Sequence, residues 1–253
     1  MLKFIEKPGL PENRVAVSLV SSEYTQIHTK LAKIFGIETV LVKKNAFLSD
    51  DISTHPDCVF VQLNADTAII DKNSKYIVKK LTNYSDCLNV IESDGVVMSP
   101  YPNDIGLNVT VINGKIICNS KFIDNNIKLY ADNLGFDIIH CNQGYSACST
   151  IVLNNNALIT DDITIHSSAV KNGIDSILIS KGSVKLLYRD YGFIGGTCGM
   201  IDKNLLAFTG KLNSHPDFEL IRAFLHKYNV NYIELTEGPL IDIGGIIPVY
   251  EHC

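Results

Sequence analysis

Five short segments of this chain carry the residue types that do chemistry: His55-Pro-Asp-Cys58, Tyr101-Pro-Asn-Asp-Ile-Gly106, Gly144-Tyr-Ser-Ala-Cys148, Gly195-Gly-Thr-Cys198 and Ile243-Gly-Gly245. A thiol becomes a nucleophile once a neighbour takes its proton. Cys58, Cys148 and Cys198 are therefore candidate nucleophiles, and His55 is the candidate base. Asp57 and Asp104 are the carboxylates to orient that base or grip a substrate. Asn103 and Asp242 are further candidate substrate-binding groups. The same three thiols are also soft ligands of the kind that hold zinc. They are equally explained as small apolar side chains filling a crowded axis, as Gly does in the same segments.

Each of these readings requires the segments to meet, and a repeat in the chain predicts that they do. Four turn-and-return pieces recur: Asn64-Ala-Asp-Thr-Ala-Ile-Ile-Asp71, Asn113-Gly-Lys-Ile-Ile-Cys-Asn119, Asn154-Asn-Asn-Ala-Leu-Ile-Thr-Asp161 and Asp202-Lys-Asn-Leu-Leu-Ala-Phe208. Their markers Ala68, Ile116, Ala157 and Leu205 are spaced by 48, 41 and 48 residues. A steady period of this size is the mark of a repeat architecture. Each piece predicts a hairpin, followed by an apolar-periodic helix and a third strand.

The predicted hairpins span residues 58–71, 106–119, 148–160 and 197–209. The helices behind them fall near 74–81, 123–134 and 163–171, and the last ends at Tyr228. Pro216 and Asp217 suit the first turn of that last helix. Third strands follow at 87–92, 136–141, 175–180 and 231–235. One strand is left over at each end. Residues 243–250 read as a first arm, and residues 14–20 as a second arm. Behind the second arm lie a helix capped by Ser21 or Ser22, ending at Gly36, and a strand at 38–43. Pairing these ends completes a fifth unit and closes a ring, which removes exposed sheet edges. The five chemistry-bearing segments then converge on a central channel.

A ring of five such units resembles the pentein fold, a five-bladed α/β-propeller. That family includes arginine deiminase, agmatine deiminase, dimethylarginine hydrolase and the ribosome anti-association factor, translation initiation factor six. The run Glu237-Gly-Pro-Leu-Ile-Asp-Ile-Gly-Gly245 is similar to the glycine-rich approach to the last strand of those enzymes. The resemblance implies a cysteine-dependent hydrolase or amidinotransferase on a small guanidino or amidino substrate, or else a non-catalytic binding protein. It also exposes a departure. The family's nucleophile follows a pattern like Gly-Gly-x-x-Cys, and Gly244-Gly-Ile-Ile-Pro248 puts Pro248 there. Its His-x-Asp-Thr pattern meets Ala147-Cys-Ser-Thr150, with Ala147 and Ser149 in place of His and Asp. Cys253 lies five residues past Pro248. Tyr188-Arg-Asp190 is similar to a substrate-gripping Arg-Asp pair, or is a surface ion pair. His166 reads as a helix-face residue behind an Asp161 or Asp162 cap.

Composition bounds the rest. The 253 residues, 46% hydrophobic and 19% charged, fit one ordinary globular domain over residues 1–253. A formal charge of −5 and the lack of a basic patch with interleaved aromatics argue against a nucleic-acid partner. Seven cysteines without a CxxC pair suggest reduced thiols and a cytoplasmic protein. Neither a leader nor an 18-residue apolar run is visible, so no membrane partner is expected. Gly192–Gly199 lacks the spacing and Lys of a phosphate loop. No cofactor or resident metal is expected, and the expected partner is a small-molecule substrate.

Overall fold

The computed structural model describes residues 2–84 and 88–253. Among the described residues four three-stranded sheets follow one another, each an antiparallel pair plus a third strand parallel to the returning arm, and a four-stranded sheet joins the two ends of the chain. The chain starts with β1 (Leu2–Phe4), β2 (Val15–Ser21), α1 (Thr25–Phe35) and β3 (Glu38–Val42). The next motif holds α2 (Pro56–Val59), β4 (Phe60–Gln62), β5 (Thr67–Ile70), α3 (Tyr76–Leu81) and β6 (Asn89–Glu92). The third holds β7 (Thr110–Ile112), β8 (Lys115–Cys118), α4 (Asn125–Leu134) and β9 (Asp137–His140). The fourth holds β10 (Thr150–Asn154), β11 (Ala157–Thr160), α5 (Ile163–Lys171) and β12 (Asp175–Leu178). A separate hairpin, β13 (Val184–Leu186) and β14 (Arg189–Gly192), comes before the fifth motif. That motif is β15 (Cys198–Asp202), β16 (Leu205–Phe208), α6 (Phe218–Lys227) and β17 (Asn231–Glu234), and β18 (Ile247–His252) ends the chain.

The terminal strands pair: β18 runs antiparallel to β2, with Ile247 opposite Leu19 and Pro248 opposite Ser18. β1 adds on the other side of β18, giving a mixed sheet of order β1-β18-β2-β3. Among the described residues, no helix is long and apolar enough to cross a membrane.

Every helix except the single turn α2 faces its sheet with an i, i+4 pair of buried side chains. The pairs are Ile27 and Leu31, Ile77 and Leu81, Ile127 and Ala131, Ile165 and Ala169, and Ile221 and Leu225. Two positions one turn apart make the narrowest apolar stripe a helix can present. Fully burying one Ile or Leu contributes about 1.5–3 kcal/mol.

A second regularity links neighbouring motifs. At the end of each returning arm sits a polar side chain that holds the loop entering the next motif. Ser21 Oγ bonds Thr54 Oγ1 at 2.7 Å, and Asp71 Oδ1 accepts from Val97 N at 3.2 Å. Asn119 Nδ2 donates to Asn142 O at 3.5 Å, and Asp161 Oδ2 accepts from Ile194 N at 3.1 Å. Thr209 Oγ1 accepts from Ile241 N at 3.1 Å and donates to Ile241 O at 2.8 Å.

Several local expectations are corrected. Neither Ser21 nor Ser22 caps α1, which begins only at Thr25 behind Tyr24 with no side-chain cap bond; Ser21 holds Thr54 instead. The first arm expected from residue 58 starts at Phe60, because Pro56–Val59 turns helically first. The last arm expected from residue 243 starts at Ile247. Gly244 and Gly245 take φ of +73° and +80°, outside the strand region. Pro216 and Asp217 precede α6 rather than occupying its first turn, and Asp217 accepts from Ser180 N at 2.5 Å. The expected start of a third strand at Cys87 lies outside the described residues.

Candidate active site

The loops entering the motifs touch in sequence around one centre. Asp57 N donates to Gly244 O at 3.4 Å, and Asn108 Nδ2 to Asp57 O at 3.3 Å. Ala147 N donates to Asn108 Oδ1 at 2.8 Å, and Gly196 N to Cys148 O at 3.0 Å. Ile243 N then donates to Gly196 O at 2.9 Å, which returns to the loop containing Gly244.

The side chains at this centre sort the candidates. Cys148 Sγ donates to Asp57 Oδ2 at 2.7 Å. His55, Asp57 and Cys148, all buried, hold their ligating atoms within 4.8 Å of one another. His55 Nδ1 is 3.8 Å from Asp242 Oδ1 and has no hydrogen-bond partner. Asp57 Oδ1 is likewise buried without a partner. A buried polar atom left unpaired costs about 1–3 kcal/mol, so such atoms mark a place built for something else. Asp242 is fixed by accepting from Phe193 N at 2.9 Å and Gly244 N at 3.0 Å.

Two glycines make this packing possible. A Cβ on Gly196 would sit 1.8 Å from Asp242 Oδ1, and one on Gly244 would sit 2.5 Å from the His55 Cβ. Only a bare backbone lets Asp242 and His55 approach.

Burial dominates the electrostatics. It pushes Asp57 up to about 6, against the pull of His55. It pushes the Cys148 thiol well above its ordinary value, helped by the contact with Cys58 and the charges of Asp57 and Asp242. For Cys58 the contact with Cys148 pulls down, but burial and the charges of Asp57, Asp104 and Asp242 together outweigh it and leave the thiol at about 11. At rest, the centre holds a neutral thiol beside a carboxylate poised near neutrality.

Above it opens a cleft of about 330 Å³. His55, Cys148 and Asp242 line it with Asp51, Arg189, Asp190 and the rings Tyr101, Tyr145, Tyr191 and Phe193. The rings form a chain, with Tyr101 5.9 Å from Tyr145, Tyr145 6.0 Å from Phe193, and Phe193 6.1 Å from Tyr191. Arg189 pairs with Asp51 at 2.7 Å, tying the β13–β14 hairpin to the opposite wall. An acidic, aromatic-walled cleft of this kind suits an organic cation.

The other expected residues lie elsewhere. Cys58 contacts Cys148 and lies 3.9 Å from Asn108 Nδ2, but it does not line the cleft. Cys198 faces a separate recess of about 170 Å³, with Met200, Leu206 and Ile246. Among the described residues no three thiols gather as a metal site would need. Asp104 is buried and accepts from Tyr145 Oη at 2.8 Å, so it supports the aromatic wall from behind. Asn103 is exposed and donates to Pro100 O. His166 bonds Ser176, and Asp162 caps α5 through Thr164 N and Ile165 N. Cys253 is exposed past the end of β18.

Sequence reasoning missed Asn108, which also donates to Cys148 Sγ at 3.3 Å and accepts from Cys148 N. Its signal was an Asn between Leu107 and Val109 in an apolar run, where a buried amide must find partners. It also missed the four rings of the wall.

The fold places the chain among pentein-type α/β proteins. SxtG, an amidinotransferase from Microseira wollei in the saxitoxin biosynthetic pathway, is 9% identical with a TM-score of 0.57, covering 94% of this chain and 96% of that one. The C. jejuni agmatine deiminase with substrate bound is 13% identical with a TM-score of 0.54, covering 93% and 90%. DDAH from Pseudomonas aeruginosa is 8% identical with a TM-score of 0.56, covering 94% and 99%. At such identities the likeness shows the fold alone. The chain belongs to the Family of unknown function (DUF6873), whose model matches residues 19–247. Comparison with curated protein sequences finds no match.

Proposed function

We propose that this protein is a cysteine-dependent hydrolase or amidinotransferase acting on a small guanidino or amidino substrate, with Cys148 as the nucleophile. The observation that carries this reading is the 2.7 Å contact of Cys148 Sγ with Asp57 beneath the acidic cleft. The activities named for the structural neighbours support the substrate class. A positive amidinium over the floor supplies the charge that the buried thiol lacks, and so favours its ionisation.

In the proposed step, the thiol proton passes to Asp57 and the Cys148 sulfur bonds to the amidine carbon. The carbon–nitrogen bond then breaks, and the leaving amine takes a proton from His55 or Asp57. The resulting S-linked amidino group is released when water or an acceptor amine attacks, the carbon–sulfur bond breaks and the sulfur regains a proton. His55 and Asp242, which line the cleft, are the groups placed to hold the substrate's N–H donors.

We propose too that the chain forms a five-bladed propeller closed by the terminal strands. The β18–β2 pairing and the returning series of loop contacts support it. Six free cysteines among the described residues support a reducing, cytoplasmic setting.

One observation favours a second reading, a non-catalytic binding protein. Pro248 stands in β18 where the family's thiol is expected, and the remaining thiol is buried among carboxylates. Labelling separates the two. Chloroacetamidine, a cationic alkylator, modifies Cys148 faster than neutral iodoacetamide does if the thiol is assisted by a bound amidinium. Equal, slow labelling of every cysteine by both reagents overturns the enzymatic reading.

A further inference from the structure

We infer that His55, Asp57 and Cys148 form a binding site for a thiophilic divalent cation, zinc. The three residues offer one nitrogen, one oxygen and one sulfur donor, with ligating atoms within 4.8 Å of one another. All three are nine-tenths or more buried. His55 Nδ1 and Asp57 Oδ1 have no hydrogen-bond partner, and buried donors left open in this way await a ligand.

The dimensions fit. Zinc binds sulfur at about 2.3 Å and nitrogen or oxygen at about 2.0 Å, so tetrahedral donors lie about 3.5 Å apart. The Asp57–Cys148 contact need widen by less than about 1 Å to admit the ion. Charge fits too. Binding converts the thiol to a zinc-bound thiolate and releases one proton, and thiolate plus carboxylate then balance a dication in a buried place. A mixed sulfur and imidazole set excludes magnesium and calcium, which take oxygen donors.

The surroundings supply the rest of a metal site. Asp242, already fixed by the Phe193 and Gly244 amides, lies 3.8 Å from His55 Nδ1 and walls the site on that side. Because Cys148 and His55 both line the cleft, the fourth position opens toward it and takes water. Zinc binding at these residues requires no amidine chemistry. Its regulatory consequence rests on the enzymatic reading: a metallated Cys148 cannot attack an amidine, so zinc shuts the cleft.

Cobalt tests the site directly. The full chain, stripped with a chelator and titrated with Co²⁺, gains a thiolate-to-cobalt charge-transfer band and strong visible absorption of a four-coordinate ion. Zinc then removes both. Cys148→Ser loses the charge-transfer band while keeping its far-ultraviolet circular dichroism. His55→Ala weakens binding by more than the ~10–100-fold that loss of an outer partner costs. Cys58→Ser and Cys198→Ser keep the band. No band in the native chain, or a band that survives in Cys148→Ser, overturns the proposal. A band without amidine labelling retains the metal site and removes the enzyme; labelling without a band does the reverse.

Discussion

The Cys148 thiol donates to the Asp57 carboxylate at 2.7 Å across 91 residues of chain. Each group alone is ill-suited to catalysis, the one too weakly acidic and the other buried. Together they make a proton donor and acceptor whose balance a cation in the cleft can tip. Asp57→Asn removes the acceptor and preserves the shape. It is expected to slow chloroacetamidine labelling of Cys148 by about 10²-fold or more, read by peptide mapping over time. Unchanged labelling would mean that Asp57 does not take the proton.

Asn108 ties three loops at once, through Asp57 O, the Cys148 sulfur and the amides of Ala147 and Cys148. Asn108→Ala leaves buried groups unpaired, each costing about 1–3 kcal/mol. Urea denaturation should show a loss of about 3 kcal/mol or more. A loss under about 0.5 kcal/mol, the scale of an ordinary surface change, would contradict the placement.

Gly196→Ala drives a methyl group into Asp242 Oδ1. It is expected to cost several kcal/mol, in the range of about 1–3 or more for overpacking. Adding Asp242→Ala removes the clashing atoms, so the double variant should be more stable than Gly196→Ala alone. Thermal melts of the four-member cycle give the coupling, and simple additivity would refute the contact.

Burial lifts Asp161 to about 7 from an ordinary 3.8, against the bond from Ile194 N. The folded chain therefore holds this proton more tightly than the unfolded chain. Its stabilising effect is complete below about pH 4 and is lost as pH rises through about 7. Asp161→Asn keeps an oxygen for Ile194 and cannot ionise. Relative to native, it should gain on the order of 4 kcal/mol between those limits, measured as the difference in urea stability at each pH. A pH-independent difference would show that Asp161 is not held neutral.

Much of the fold was legible because its signals are local. The Asn113-Gly114 turn, with φ of +48° and +71°, joins β7 to β8 as the sequence predicts. The i, i+4 pairs of the helices can be read from the string of letters. The pairing of β18 with β2 followed from two strands left without partners. The site was legible only in part. His55, Asp57 and Cys148 were candidates, but so were Cys58 and Cys198, and spacing cannot say which thiol faces the cleft. That is decided by which side of the entry loop each occupies. The β13–β14 hairpin was missed because Arg189-Asp-Tyr-Gly192 is mostly exposed and lacks apolar alternation.

The side chains closing the returning arms, Ser21, Asp71, Asn119, Asp161 and Thr209, do one job with four residue types. A comparison of letters would count them as differences, though mechanically they are the same joint. Because each joint grips forward, to the loop ahead of it, the arrangement has a sense of rotation. Damage at Asp161 should loosen the loop of Ile194 and Gly196, and with it the seat of Asp242, before it disturbs the motif that contains Asp161. A defect far from the thiol thus reaches the cleft by inheritance, one neighbour at a time.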